Sequence, residues 1–156
     1  MFMNEKIVIE SNGYDRVDGR NAYKSNIKRL TLGEPILEEN KEMQIAAQIW
    51  KLNKDGELVL VHELPVHQVF DIMILLSRTL LYFKEAYRLP LLYDPEKPTV
   101  DRVGVQGGVL PVEICIDNQN INDDIKAFAQ SLNDLGEIIG ERQRVLSGIL
   151  KELERY

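Results

Sequence analysis

The chain has 156 residues, of which 44% are hydrophobic and 28% charged, with a formal net charge of -6. This composition is typical of one soluble globular domain, long enough to form a core without disulfides or metal ions. Binding to nucleic-acid phosphates needs a concentrated cationic surface, so the net negative charge and scattered basic residues argue against a nucleic-acid partner. No stretch reaches the roughly 20 charge-free apolar residues of a membrane-spanning helix, so we expect no membrane association. The single cysteine, Cys115, fits a reducing compartment, and we expect a cytoplasmic protein.

The N-terminal part of the sequence predicts strands and turns. Residues 11–23 contain two turn dipeptides and are typical of a loop, whereas residues 28–32 are typical of a strand. The clearest alternation of apolar and polar residues then runs from Glu42 to Ile49 and predicts a long strand whose odd-numbered side chains face a core. Trp50 and Leu52 lie on the other face, so partial cover of that face is the open alternative. A turn at residues 53–56 and a return strand at residues 58–61 complete an antiparallel hairpin.

The remainder of the chain predicts two helices separated by a second hairpin. Pro65 suits the first turn of a helix, and an apolar stripe continues to about residue 88 before Pro90 ends it. Residues 100–106 and 109–116 predict a hairpin joined at Gly107-Gly108. From about residue 120 to 154, apolar residues recur at alternate spacings of four and three, which is typical of a heptad helix about 50 Å long.

Three glycines interrupt this last helix and each lowers its helix propensity. Gly136, Gly140 and Gly148 each cost roughly 1 kcal/mol relative to alanine. Two explanations are open, namely close approach of another backbone or a local kink. We favour close packing at Gly136 and Gly140 because they adjoin one side of the heptad row.

Together these elements predict a single α+β domain over residues 1–156. We expect one antiparallel sheet made of the two hairpins and the N-terminal strands, with the helices at about 65–88 and 120–154 packed on one face. The second helix is longer than the first by several turns, and its unmatched surface is a candidate homodimer contact. The candidate interface residues are Leu132, Leu135, Ile139, Arg142, Leu146 and Ile149.

A narrow polar strip runs along the otherwise apolar 65–88 helix. At about 3.6 residues per turn, its members fall within roughly 60° of arc. We define the polar strip as His67, Asp71, Arg78, Tyr82 and Glu85. The simpler interpretation is the solvated side of an amphipathic helix. In the alternative, Asp71 orients His67 as a general base while Arg78 and Tyr82, with help from Arg20, hold an anionic ligand.

Other reactive residues give weaker signals. His62 and His67 are five residues apart with Pro65 between them, so one helix does not bring them to a common metal ion, and we predict no metal and no cofactor. Cys115 lies near acidic residues, which disfavour the thiolate, so we interpret it as inert. Arg142 occupies a heptad core position, where a buried ion pair with Asp71 or Glu85 is one structural explanation. The Tyr14 to Tyr23 loop, which carries Arg20, is a candidate recognition surface.

Several short segments resemble a bacterial family of uncharacterised single-domain proteins, a domain of unknown function. The segments that carry the resemblance are Tyr14-Asp15, Val17-Asp18-Gly19-Arg20, Leu64-Pro65 with His67, Phe83 to Arg88, Leu92-Tyr93-Asp94-Pro95, Leu135-Gly136-Glu137 and Gly140-Glu141-Arg142. The likeness covers nearly the whole chain. It implies a bacterial cytosolic protein and transfers no activity or catalytic residue.

Two functions of different classes therefore stand as hypotheses. The first is a small non-enzymatic interaction or assembly module, a homodimer or a binder of another protein through the C-terminal helix. The second is a small-molecule binder or enzyme that uses the polar strip. We recognise no catalytic motif, because Gly104, Gly107 and Gly108 lack the lysine and following helix that a phosphate-binding loop requires.

Overall fold

The structure is a computed structural model that describes residues 6–17, 25–37 and 45–156. The described chain combines antiparallel strands with helices, so the predicted α+β class is confirmed. The elements in chain order are β1 (Ile7–Asn12), β2 (Ile27–Gly33), β3 (Ala46–Leu52), β4 (Leu58–Pro65), α1 (Val66–Phe83), β5 (Thr99–Val105), β6 (Gly108–Glu113), α2 (Ile121–Asp134) and α3 (Gly136–Leu153). Two compact units, Met1–Met73 and Ile74–Tyr156, divide the chain within α1.

The first unit is built on a four-stranded antiparallel sheet in the order β1-β2-β3-β4. The predicted hairpin is confirmed: Asn53 accepts hydrogen bonds from the backbone N–H groups of Asp55 and Glu57, and Gly56 supplies a φ of 77°. Strand β4 then continues into α1 without a loop, and the Val66 N–H donates to the Ile45 carbonyl at 3.1 Å. The predicted start of this helix is therefore correct to within one residue.

One face of this sheet buries a polar network. Thr31, Gln48 and Glu63 lie side by side across β2, β3 and β4. The Thr31 hydroxyl donates to Gln48 Oε1 at 2.6 Å, and Gln48 Nε2 donates to Glu63 at 2.9 Å. Trp50 Nε1 donates to the Thr31 oxygen at 2.9 Å, and the Arg29 guanidinium lies over the Trp50 ring. Because the side chains of Thr31, Gln48 and Trp50 are hydrogen-bonded to one another and to Glu63, these polar groups can be buried on this face.

The fully buried side of β3 is therefore opposite to the one predicted. The even-numbered residues Ala46, Gln48 and Trp50 are buried, whereas Ala47 and Ile49 are only half-buried. The prediction failed because it counted Gln48 as solvent-facing, although its amide is satisfied inside the network. The predicted residues Glu42, Met43 and Gln44 lie outside the described part of the chain.

The other face of the sheet is apolar and adjoins the first half of α1. Leu30 pairs with Ile49 and Leu32 with Ala47, so these side chains form rows on one side of the sheet. Together with Val69, Ile72 and Met73 of α1, they line a cavity of about 500 Å³. The first half of α1 thus forms part of the wall of this cavity, but none of its residues is buried, so its packing on the sheet stays a prediction. The placement of the C-terminal helices on this sheet stays a prediction.

The second unit contains the predicted second hairpin, but this hairpin forms a separate two-stranded sheet of β5 and β6. The prediction of one sheet from both hairpins is wrong, since the described β5 and β6 pair only with each other. Gln106 and Gly107 occupy the tight turn, with φ values of 51° and 79°. Tyr93, Val112 and Ile125 are the larger buried apolar residues of this unit.

Both predicted helices end or break earlier than expected. Helix α1 ends at Phe83, where Lys84 and Glu85 donate to carbonyls three residues back, and a short 3₁₀ helix follows at Ala86–Arg88. The predicted 120–154 helix is divided into α2 and α3 at Leu135, whose φ and ψ are -90° and 8°. A kink therefore explains Gly136. The close packing favoured at Gly136 and Gly140 is not observed in the described chain, because a Cβ at Gly136 meets no atom within 4 Å and one at Gly140 meets only the Arg144 side chain of the same helix, at 3.3 Å.

Candidate functional site

The polar strip begins in the first unit with His67 and Asp71. His67 is exposed and Asp71 half-buried on the first two turns of α1. Neither side chain forms a hydrogen bond or ion pair with any residue that the structure describes. A general base of the His–carboxylate type requires the carboxylate to hold the imidazole in one orientation. These two residues therefore do not form such a dyad here.

The strip continues in the second unit with Arg78 and Tyr82, and both have structural partners. Arg78 Nε lies 2.7 Å from Asp101 Oδ2 on β5. The Tyr82 hydroxyl donates to the Leu92 carbonyl at 2.9 Å, and Leu92 itself adopts a left-handed φ of 67°. Burial raises the pKa of the Tyr82 phenol, and the negative charge of Asp94 adds to the increase. These contacts fasten the second half of α1 to β5 and to the loop that follows α1.

Glu85 and Arg142 do not form the ion pair considered from the sequence. Glu85 lies beyond the end of α1 and binds Arg88 at 3.0 Å, with both side chains mostly exposed. The Arg142 guanidinium donates to the Ile138 carbonyl of its own helix at 3.4 Å. Arg142 is exposed rather than buried, so its heptad position does not place it in a core within its own unit.

The candidate recognition loop is described only in part. Tyr14–Arg16 forms a 3₁₀ helix, and the Lys28 ammonium binds Asp15 Oδ2 at 2.7 Å. The hydrogen bond from Lys28 lowers the pKa of the Asp15 carboxyl, with a further contribution from the positive charge of Lys28. Arg20 lies outside the described residues, so its predicted role stays a prediction.

The candidate interface residues form the apolar side of α2 and α3. Leu132, Leu135, Ile139 and Leu146 are half-buried, whereas Ile149 is 51% exposed. The structure adds two residues to this surface, since Val145 is 59% and Leu153 60% exposed. None of the 18 residues of α3 is fully buried. We call Val145, Ile149 and Leu153 the α3 apolar row.

A second cavity, of about 290 Å³, lies within the second unit between α1, the hairpin and α2. Three aromatic rings contribute to its wall: Tyr82 meets Phe83 edge-on at 5.3 Å between centroids, and Phe83 meets Phe128 at 5.4 Å. Glu113 and Asp124 are the acidic residues of its lining, and both are exposed. We call this the aromatic cavity. Of the polar strip, only Tyr82 lines it, so the strip and the cavity are distinct features of α1.

The described residues give little support for a metal site or for a membrane-spanning helix. No three histidine, cysteine, aspartate or glutamate side chains within residues 6–17, 25–37 and 45–156 are placed to hold a metal ion. Helix α1 is the one helix of the described chain that is long and apolar enough to cross a membrane. It carries Asp71 and Arg78, and core helices of soluble proteins meet the same criterion.

Comparison with known proteins identifies the family to which the sequence is related. Residues 2–156 match the model of a family described as "Family of unknown function (DUF6530)". The chain belongs to this family. The match covers nearly the whole chain, in agreement with the resemblance seen in the sequence, and brings no known activity with it. No curated protein and no solved structure matches the sequence.

Sequence reasoning missed two features of this family member. The aromatic cavity was missed because Phe128 fits the heptad row and Phe83 the apolar stripe of α1, and neither pattern predicts a contact between the two rings. The buried network was missed because its members come from three strands. One signal was present, since Gln48 and Trp50 are two residues apart on a strand and so share a face.

Proposed function

We propose that this protein is a non-enzymatic assembly module that forms a homodimer by pairing α3 with the α3 of a second copy. The observation that carries the proposal is the exposed α3 apolar row on a helix with no buried residue. Helices owe most of their stability in proteins to the burial of an apolar face. A second copy would supply that burial.

The distribution of residues around α3 supports pairing along one side. At about 100° per residue, Ile138, Val145 and Ile149 fall within roughly 40° of arc, and Leu146 and Leu153 lie directly beside them. Ser147, Arg144 and Lys151 lie on the opposite side, as expected for the solvated face of a paired helix. Complete burial of one Val, Leu or Ile side chain contributes roughly 1.5–3 kcal/mol before the cost of association is subtracted.

Arg142 favours an antiparallel arrangement of the two helices. This residue lies about 20° from Ile149 around the helix, so a parallel symmetric pair would bring the two Arg142 guanidinium groups close together. An antiparallel pair centred near residue 147 instead places Arg142 opposite Glu152 of the second copy. Opposite charges at the border of an apolar seam are a common determinant of helix orientation.

Sedimentation at micromolar concentrations tests the dimer. Wild-type protein should sediment as a dimer, and Ile149→Glu should shift it to monomer because a carboxylate would be buried in the seam. Ser147→Glu is the matched control, since it adds the same charge on the opposite side of α3 and should leave the dimer intact. A wild type that stays strictly monomeric at these concentrations would refute the proposal.

Disulfide trapping tests the orientation separately. In a Cys115→Ser background, Arg142→Cys and Glu152→Cys are made as single variants. An antiparallel pair centred near residue 147 should form disulfide-linked dimers only when the two variants are mixed, because residues 142 and 152 then lie opposite each other. Self-crosslinking of each variant alone would indicate a parallel pair.

The alternative function, an anionic-ligand binder or enzyme that uses the polar strip, has less support. Arg78 and Tyr82 already bind Asp101 and the Leu92 carbonyl, and an anion would have to compete with a carboxylate at 2.7 Å. Bacterial origin and a cytoplasmic location, like the absence of nucleic-acid and membrane partners, belong to the same proposal. Bacterial origin rests on the family resemblance, and the other three rest mainly on composition.

A further inference from the structure

The aromatic cavity has acidic residues but no cationic ones among the described residues of its lining. Its volume of about 290 Å³ is near the lower end of ligand-binding pockets, which measure roughly 300–1,000 Å³. None of the described residues that line it is lysine, arginine or histidine. The ionisable side chains of the lining are Glu113, Asp124, Tyr82 and Cys115, and none of these is cationic at neutral pH.

The two carboxylates are not neutralised by cations of the described chain. Glu113 is exposed and forms no side-chain hydrogen bond or ion pair with a described residue. Asp124 accepts a single hydrogen bond, at 2.9 Å, from the neutral amide of Asn118. Each carboxylate therefore has acceptor positions that no described residue uses.

The other polar groups of the cavity point to the same kind of ligand. The Thr79 hydroxyl donates to the Leu75 carbonyl at 2.8 Å, and the Tyr82 hydroxyl donates to the Leu92 carbonyl. These two donors are already used inside the protein, so an anionic ligand would find little to bind. A ligand that donates hydrogen bonds and carries positive charge is complementary to this lining.

The aromatic wall provides a second attraction for a cation. The faces of Tyr and Phe rings carry a negative quadrupole, which attracts an ammonium group within about 6 Å of the ring centroid. Phe83 and Phe128 meet at 44° between ring planes, and Tyr82 adds a third ring. The same rings accommodate the apolar body of a ligand.

We infer that the aromatic cavity binds a small organic amine, a primary ammonium on an aromatic or branched apolar body. The ammonium lies toward Glu113 and Asp124, and the apolar body packs among Phe83, Phe128 and Ile125. This site is independent of the α3 apolar row, and so of the proposed homodimer.

Cys115 allows the inference to be tested without a known ligand. It is the single cysteine of the chain, it is exposed, and it lines the cavity, so a bound molecule should slow its reaction with a disulfide reagent. Three probes of similar size and different charge are compared: phenethylammonium, phenethyl alcohol and phenylpropionate. We expect phenethylammonium to slow the reaction in a saturable manner and the other two to have little effect.

Matched variants identify the groups responsible. Glu113→Gln combined with Asp124→Asn should weaken the binding of phenethylammonium at least about tenfold, because hydrogen bonds to charged groups are the stronger ones. Phe83→Leu should weaken this binding about fivefold through loss of the ring. Glu137→Gln, an exposed carboxylate outside the cavity lining, is the control and should change nothing. Circular dichroism of each variant checks that the fold is retained.

Two outcomes would overturn the inference. Equal protection by all three probes would mean that the cavity is an apolar groove without charge selection. The absence of protection by phenethylammonium at any soluble concentration, in folded wild-type protein, would mean that it is not an amine site.

Discussion

The Nε atom of Arg78 on α1 lies 2.7 Å from the Oδ2 atom of Asp101 on β5. This ion pair joins a helix to a hairpin within the second unit, and both side chains are about one-third to two-fifths exposed. It gives Arg78 a structural partner, although the sequence had placed Arg78 at the centre of a candidate anion site. Half-exposed pairs of this kind contribute modestly to stability because solvent screens them.

We expect Arg78→Met and Asp101→Asn each to lower the free energy of unfolding by roughly 0.5–1 kcal/mol. The double variant should lose less free energy of unfolding than the two single variants lose together, because either change alone already breaks the ion pair. Urea denaturation of the four proteins measures the coupling. Strictly additive losses would mean that the two residues act independently and that Arg78 has another role.

Tyr82→Phe should remove the hydrogen bond to the Leu92 carbonyl and cost about 1 kcal/mol of stability. The bond holds a residue with a φ of 67°, which is an unfavourable conformation for leucine, so its loss should also loosen the loop after α1. Tyr87→Phe is the matched control, because Tyr87 is 76% exposed. Hydrogen exchange of the Leu92 region and thermal melting provide the measurements.

Gln48→Ala should destabilise the first unit by roughly 2–3 kcal/mol. Gln48 is 1% exposed and bonds Thr31, Glu63 and the Glu34 carbonyl, so its loss leaves buried polar groups without partners. Trp50 fluorescence reports unfolding of the same network. The exposed Gln130 on α2 serves for comparison, and Gln130→Ala should have an effect below about 0.5 kcal/mol.

Two glycine substitutions should have opposite effects on stability. A Cβ at Gly33 would lie 2.2 Å from the Lys6 carbonyl oxygen, so Gly33→Ala should cost roughly 1–3 kcal/mol or more. Gly148 lies inside α3 with open space around it, so Gly148→Ala should stabilise the protein by about 1 kcal/mol. A destabilising Gly148→Ala would indicate that the second copy packs closely on this side of α3.

The Lys28–Asp15 pair should make stability depend on pH in the acid range. The pKa of Asp15 is lowered from 3.8 in the folded protein, so the unfolded chain binds more protons and folding is favoured once the carboxyl is ionised. This contribution is present above pH 3.8 and is lost as the pH falls through the lowered folded-state pKa. The stabilities of wild type and Asp15→Asn, measured as denaturant midpoints, should therefore differ near neutral pH and become equal at about pH 2. A constant difference at all pH values would exclude this linkage.

The features that sequence alone determined are local ones. The turn at residues 53–56 and the hairpin around Gly107 depend on a few consecutive residues with special backbone preferences, so both hairpins were predictable. The period of the apolar residues similarly predicted α1 and the C-terminal helical segment. The boundaries were less accurate, because the sequence left a kink beside Gly136 open but favoured close packing, and the helix in fact breaks at Leu135.

Tertiary structure decided everything that depends on residues distant in the sequence. Gln48 is buried because Thr31 and Glu63 on neighbouring strands satisfy its amide, and β5 and β6 pair only with each other among the described strands. Arg78 forms an ion pair because β5 places Asp101 beside it. The aromatic cavity forms because α2 places Phe128 next to Phe83. Periodicity assigns a side chain to a face, whereas only the folded chain determines which group meets it there.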